Sequence, residues 1–254
     1  MTVALQERTG ARELARAGRL AVRLASGLDE VEAAQRLRWE VFSLERGARL
    51  GDDRCGLDRD AFDPWCEHLV VEDEASGRIV GTYRVLLPEQ AARAGGLYMA
   101  SEFRIERLRG LRGEIAELGR SCVHRDYRTG GTIMLLWSGL GELLATTGCR
   151  YLVGCASVPA ADGGDGAAKL WRRLWLEHAA PDAWRVFPRR PLAVAPSGPA
   201  DEATMPPLLK GYLRAGSLLL GAPHLDPEFV CADFPLMLPL ERLGARYSRR
   251  FARG

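Results

Sequence analysis

The chain has 254 residues, 47% of them hydrophobic and 27% charged, enough for one sizeable globular domain or two small ones. That composition excludes a disordered tail, a collagen-like rod and a disulfide-stapled miniprotein. The 35 basic residues nearly balance the 33 acidic ones, a net charge of +2, so no bulk field argues for a nucleic-acid partner.

Only Lys169 and Lys210 are lysines, and every other basic residue is an arginine. The six cysteines, Cys55, Cys66, Cys122, Cys149, Cys155 and Cys231, show no CxxC pair and no Cys/His ligand spacing. Reduced, mostly buried thiols are expected, and no metal site. No apolar run reaches the roughly 18 residues of a spanning helix, and the N-terminus lacks the apolar core of a secretory signal. The expectation is a cytoplasmic protein that is neither integral nor exported.

Along the chain, Arg8, Arg12, Arg16, Arg19 and Arg23 recur at three- and four-residue intervals, with Leu14, Ala17, Ala21, Leu24 and Leu28 on another face. This predicts a basic amphipathic helix or tail over 1–28. It reads as a solvated surface helix, an attachment to anionic lipid on the inner face of the membrane, or an organellar transit peptide. Leu240, Leu243, Tyr247 and Phe251, set among arginines, form a second short stripe at the other end.

Val31, Ala34, Leu37, Val41 and Leu44 predict a helix over 29–46, followed by a polar loop to Pro64. Residues 68–72 and 78–87 read as a β-hairpin, and 114–124 as a third strand after an irregular stretch from Pro88. Ile133, Leu136, Trp137, Leu140 and Leu144 hold the helical period over 130–147, and 150–155 is a short buried strand. A glycine-rich loop, 162–166, opens a helix over 167–178. Most of the 14 prolines lie from Pro159 onward, so an elaborated C-terminal extension, 181–254, is expected on a single domain spanning 29–254.

In Glu117 to Ile133, ELGRSCVHRDYRTGGTI, a strand passes through a turn into a helix that opens on Gly130 and Gly131, with Arg128 just upstream. Glycines admit an anion to the backbone amides, a helix N-terminus adds partial positive charge, and arginine adds a full one. The pattern is a phosphate cradle, although glycine at a helix start is also an ordinary turn.

This stretch resembles motif A of the GNAT acyltransferase superfamily, matching at Arg128 and Gly131 but carrying Ile133 where the last small residue belongs. The resemblance implies an α/β fold, a mixed central sheet flanked by helices. The bulkier cradle suits one phosphodiester better than the several phosphates of coenzyme A. It therefore implies an acyl-phosphopantetheine thioester on acyl carrier protein as donor, with no permanently bound cofactor.

Arg38 and Phe42 on the first helix, Asp60 and Asp63 in AFDPWCEHLVV, Arg84 closing GTYR, and Glu117 and Arg120 in ELGR resemble the acyl-homoserine-lactone synthases. ELGRSCVHRDYRTGGTIMLLWSGL, YLVGCASV and the segment from PPLLKGYLRAG to LERLGARY look much more like the ornithine lipid synthases, which are ornithine:acyl-carrier-protein N-acyltransferases.

The resemblance implies transfer of a 3-hydroxy fatty acyl group to the α-amine of L-ornithine. The product would be a lyso-ornithine lipid, completed by a second acyltransferase. Glu117 and Arg120 would be catalytic, and Arg38, Phe42, Asp60, Asp63 and Arg84 would bind the acceptor. Cys122, Val123, Arg128, Gly130 and Gly131 would hold the donor, with a backbone amide near Cys122 or Val123 meeting the oxyanion.

Other readings stay open. Glu117 is a buried ion-pair partner or a carboxylate that orients or deprotonates the amine. Three apart on a regular strand, Glu117 and Arg120 point to opposite faces unless a bulge intervenes. Asp60 and Asp63 either cap a turn or receive a cationic side chain, and Phe42 is core or site. The rival functions are an N-acyl amino acid or acyl-homoserine-lactone synthase, and, in a different class, a non-catalytic lipid-binding or membrane-active protein.

Overall fold

The computed structural model describes residues 13–50, 55–192 and 204–243. Its elements begin with β1 (Glu13–Ala17), β2 (Leu20–Leu24), α1 (Leu28–Trp39), β3 (Glu67–Asp73), β4 (Arg78–Leu86) and α2 (Pro88–Arg93). They continue with β5 (Phe103–Arg104), β6 (Ile115–Val123), α3 (Gly131–Leu144), β7 (Tyr151–Pro159), α4 (Asp165–His178) and β8 (Phe187–Pro188). Last come α5 (Pro207–Ala215), β9 (Leu218–Leu219), β10 (His224–Asp226) and β11 (Cys231–Pro239). The chain divides into two compact units, the first from residues up to 94 with 118–148, the second from 95–117 with 149–247. Strand β6 thus begins in the second and ends in the first, and the division falls at neither 28 nor 181.

In the first unit the strand order is β1-β2-β3-β4-β6, with antiparallel pairing from β1 through β4. Leu69, Val70 and Val71 alternate across β3 and all are fully buried, so both faces of the sheet are covered. Val70 packs with Val31 and Ala34 of α1. On the other face, Gly139 of α3 lies so close to the sheet that a Cβ there would stand 2.8 Å from Val22 Cγ2. Any larger residue would push α3 off the sheet.

The helix expected over 1–28 is, over its described part, the β1–β2 hairpin, turned at Gly18 and Arg19. Of the arginines that suggested a basic face, the three among the described residues are matched by acids. Arg16 pairs with Glu13 and Glu74, Arg19 with Asp73 at 3.2 Å, and Arg23 with Glu30 and Glu72 at 2.5 and 2.6 Å. Residues 1–12 and most of the C-terminal stripe, Tyr247 and Phe251 included, lie outside the described residues.

The second unit is built on β11, which pairs antiparallel with β7 along its whole length, from Cys231 opposite Pro159 to Pro239 opposite Tyr151. β10 and β9 pair with β11 as well, and β5 and β8 form a separate two-stranded ribbon. Leu170 and Leu174 of α4 and Leu209 and Leu213 of α5 bury against Ala156, Val158, Phe234 and Leu236. At about 25 cal/mol per Å² of apolar area, that burial is the main stabilisation of this unit. Among the described residues no helix is long and apolar enough to cross a membrane.

Candidate active site

Four of the expected acceptor residues, Arg38, Asp60, Asp63 and Arg84, meet in the first unit together with Arg120, which was expected to be catalytic. Arg38 extends from α1 with no solvent exposure and donates from Nε to Asp58 Oδ2 at 2.9 Å. Its two terminal nitrogens grip Asp63 at 2.7 and 3.0 Å, a bidentate pairing. Arg84 on β4 reaches Asp63 at 3.3 Å and Asp60 at 2.7 Å. Arg120 on β6 lies 3.4 Å from Asp60 and 3.2 Å from Asp58.

The contacts close into a ring, Arg38–Asp58–Arg120–Asp60–Arg84–Asp63, in which three guanidinium charges balance three carboxylates. Desolvation would raise the Asp63 carboxyl, but the Arg38 hydrogen bonds and the charges of Arg38 and Arg84 outweigh it and hold Asp63 well below the usual carboxylate range.

This geometry revises what Asp60 and Asp63 can do. Both Asp63 oxygens accept from Arg38, and Oδ2 also accepts the backbone N–H of Asp60 at 2.8 Å, so the pair builds the loop and anchors it to the sheet. Asp58, which carries one corner of the ring, escaped the sequence reading. The expected result for Asp63→Asn is a stability loss of about 3 kcal/mol, because Arg38 would be left buried beside a neutral partner. Use of a charged and of an uncharged acceptor should fall alike. Chemical denaturation with paired acceptor kinetics checks this, and a selective loss of the charged acceptor would return Asp63 to the acceptor pocket.

Phe42 is buried in a single π-helical turn, Glu40–Glu45, that continues α1. Such turns interrupt the helical period, so Phe42 does not simply repeat the face of Arg38.

Strand β6 is irregular where the chemistry was expected. Arg120 has φ +51°, a left-handed conformation uncommon for a side-chain-bearing residue and a mark of local strain. The regular alternation of β6 is therefore interrupted at Arg120, so its spacing of three from Glu117 does not by itself put the two side chains on opposite faces. Burial changes there too, from buried Ile115–Leu118 to half-buried Gly119–Ser121. Glu117, 5% exposed, belongs to the second unit, where its carboxylate accepts the backbone N–H groups of Tyr98 and Met99 at 2.5 and 2.7 Å. Its orientation is therefore fixed by backbone.

Beyond β6 the chain enters the expected cradle. Gly130 sits at φ +82° just ahead of α3, a conformation that favours glycine, and the first-turn amides of the helix have no intrahelical acceptor. Thr132 donates to the Tyr127 carbonyl at 2.8 Å and ties the turn to the helix. Arg128 donates to the Val123 carbonyl at 2.9 Å and to Glu45 at 2.6 Å, with its side chain still partly in solvent. Burial pushes the Cys122 thiol up to about 12, so it is a packing residue on this strand, not a nucleophile.

The chain is similar to known proteins in sequence and in fold. A GNAT acetyltransferase domain matches residues 37–138. A Brucella abortus protein called L-ornithine N(alpha)-acyltransferase is 38% identical over 92% of this chain and 89% of its own length. One of the same name from Rhizobium meliloti is 36% identical over 92% of this chain and 84% of its own. Among solved structures, the CoA-dependent acyl-homoserine lactone synthase BjaI is similar with a TM-score of 0.53, covering 89% of this chain and 84% of that one, at 18% identity. At that identity the likeness concerns the fold, which is the GNAT-type sheet flanked by helices expected from the sequence. With these identities and coverages, the chain belongs to the L-ornithine N(alpha)-acyltransferase family of GNAT acyltransferases.

Proposed function

We propose that the protein transfers a fatty acyl group, 3-hydroxylated, from acyl carrier protein to the α-amine of L-ornithine and releases a lyso-ornithine lipid. The observation that carries this reading is the course of β6, a strand with a left-handed residue at Arg120 that leads through a short turn into a glycine-opened helix. The backbone amides of the strand near Cys122 and Val123 suit the amide groups of a phosphopantetheine arm and the oxyanion, and the helix start suits its phosphodiester.

In the reaction the neutral α-amine attacks the thioester carbonyl, a C–N bond forms, and the C–S bond breaks to leave the thiol on the carrier's arm. The amine's proton passes toward Glu117, directly or through water. No covalent intermediate on the enzyme is required, in keeping with the buried, protonated Cys122. An amphiphilic product argues for work at a membrane surface.

The test uses the purified chain with 3-hydroxyacyl-carrier protein. Thiol release only when ornithine is present, together with lyso-ornithine lipid in the mass spectrum, supports the reading. Release independent of any amine overturns it. The donor has its own expected result. Ile133 is bulkier than the residue the GNAT motif carries there, and Arg128 is partly committed to Val123 and Glu45. Acyl carrier protein should therefore exceed the matching acyl-coenzyme A by about 10-fold or more in kcat/KM, the order of one lost phosphate interaction. Equal efficiency with the two donors would remove the argument from the loop.

A further inference from the structure

Helix α1 runs on into the π-helical turn Glu40–Glu45, and that turn meets the donor cradle at two points. Its first residue, Glu40, lies 3.3 Å from Nε2 of His124, which opens the short turn after β6. Its last, Glu45, accepts from Arg128 Nη2 at 2.6 Å, at the other end of the same short turn. Backbone closes the chain just past Glu45, where the Ala48 N–H donates to the Phe42 carbonyl at 2.8 Å and the Ser43 hydroxyl to the Ala48 carbonyl at 3.1 Å. Single π-helical turns are frequent at functional sites, and the two acids of this one face a segment suited to an anion.

Affinity for a phosphate would not by itself put an acid there. Of the five N–H groups of Arg128, Nε–H goes to the Val123 carbonyl at 2.9 Å and one on Nη2 to Glu45, so donors remain for a phosphate oxygen. What Glu45 takes away is net charge. Its side chain is 19% exposed, so water and salt screen it incompletely, and with Arg128 it makes a neutral pair. A neutral pair still offers directed hydrogen bonds to one phosphodiester, but it gives a ligand nothing extra for each further negative charge.

We infer that Glu45 sets the choice of donor. By neutralising Arg128 it admits an arm with a single phosphodiester and withholds the gain that an unpaired arginine would give the several phosphates of coenzyme A. This rests on the phosphopantetheine donor proposed above and names the residue that selects it. Selection then comes from a repulsive element against the wrong ligand, in addition to contacts with the right one. The sign follows from Coulomb's law, because removing one negative charge from the cradle stabilises a ligand in proportion to the negative charge it brings.

The first measurement is kcat/KM at low salt for the unaltered chain and for Glu45→Gln, with ornithine and three carrier-free donors, the 3-hydroxyacyl thioesters of pantetheine, 4′-phosphopantetheine and coenzyme A. Each donor is compared with itself in the two proteins, so the adenosine of coenzyme A cancels. The substitution should change pantetheine less than about twofold, improve phosphopantetheine about threefold and improve coenzyme A about 10-fold or more, with the differences shrinking in high salt. Arg128→Gln, which keeps the acid and removes the cation, should weaken the same series in the same order. Equal changes along the series, in either variant, overturn the inference.

The second measurement needs no turnover. Free coenzyme A should bind Glu45→Gln about 10-fold more tightly than the unaltered chain by calorimetry, and equal binding, or binding to neither, overturns the inference. If the unaltered chain transfers no acyl group to ornithine from any donor while coenzyme A binding still tightens, it is the proposed reaction that has failed, and Glu45 keeps its role at an anion site.

Discussion

Glu117→Gln lowers turnover about 100-fold or more in a chain that still folds, the usual range for a positioned acid or base. The structure says why the two halves of that result separate. The carboxylate is buried and held by two backbone N–H groups, so the substitution preserves shape and location. One of the two acceptor positions becomes an NH₂ group facing an N–H donor, which costs about 1–3 kcal/mol of stability and no more. Turnover depends instead on the lone pairs left on the oxygens, the only place on this side chain where an amine proton can go. The measurement is kcat and KM for ornithine across pH, with a thermal midpoint alongside. The variant's rate should climb with pH as more of the amine becomes free base, over a range in which the unaltered enzyme is flat. A normal kcat with only the stability loss would confine Glu117 to holding the Tyr98–Ser101 turn.

How far the sequence could be read depended on whether each signal was local. The β3–β4 hairpin, β6, α3 and α4 follow from periodicity and punctuation, and each falls within a few residues of its expected place. Helix α2 had a signal too, Pro88 at its first position with Gln90 Oε1 accepting the Leu87 N–H at 3.0 Å, yet the stretch read as irregular. The β1–β2 hairpin was misread for a physical reason. Its arginines and leucines repeat every three or four residues, while the acids that neutralise the arginines, Glu30, Glu72, Asp73 and Glu74, come from α1 and the β3 region.

The candidate site divides in the same way. The glycine-opened helix is one continuous stretch, and it was legible. Arg38, Asp60, Asp63, Arg84 and Arg120 were singled out through resemblance, but the resemblance suggested substrate contacts where the structure builds a neutral ring. Asp58 completes that ring from a loop with no pattern of its own.

Replacing Arg38 by Met removes about 5 kcal/mol of stability, the upper end for breaking a buried ion pair and the largest change expected of any single substitution in the ring. Arg38 has no solvent exposure, and it binds two carboxylates that are themselves almost fully buried, Asp58 and Asp63. Its loss leaves those charges to be shared by Arg84 and Arg120 alone, and water cannot reach them to compensate. Methionine matches the stem of arginine, so the loss measures the guanidinium and not a cavity.

The same ring sets an acid limit. Asp63 is held ionised in the folded state well below the usual carboxylate range, although burial alone would push it the other way. Its contribution is therefore complete above about pH 4, the unfolded value, and is lost as pH falls below that toward its depressed folded-state pKa. Urea denaturation of the unaltered chain and of Arg38→Met, at pH 7 and at successively lower pH, tests both halves. The gap between the two proteins should narrow as the medium becomes acid, because protonating Asp63 dismantles the pairing that the substitution has already removed. A gap that stays constant with pH would mean that Arg38 stabilises the chain by its packing, with the ring contributing nothing.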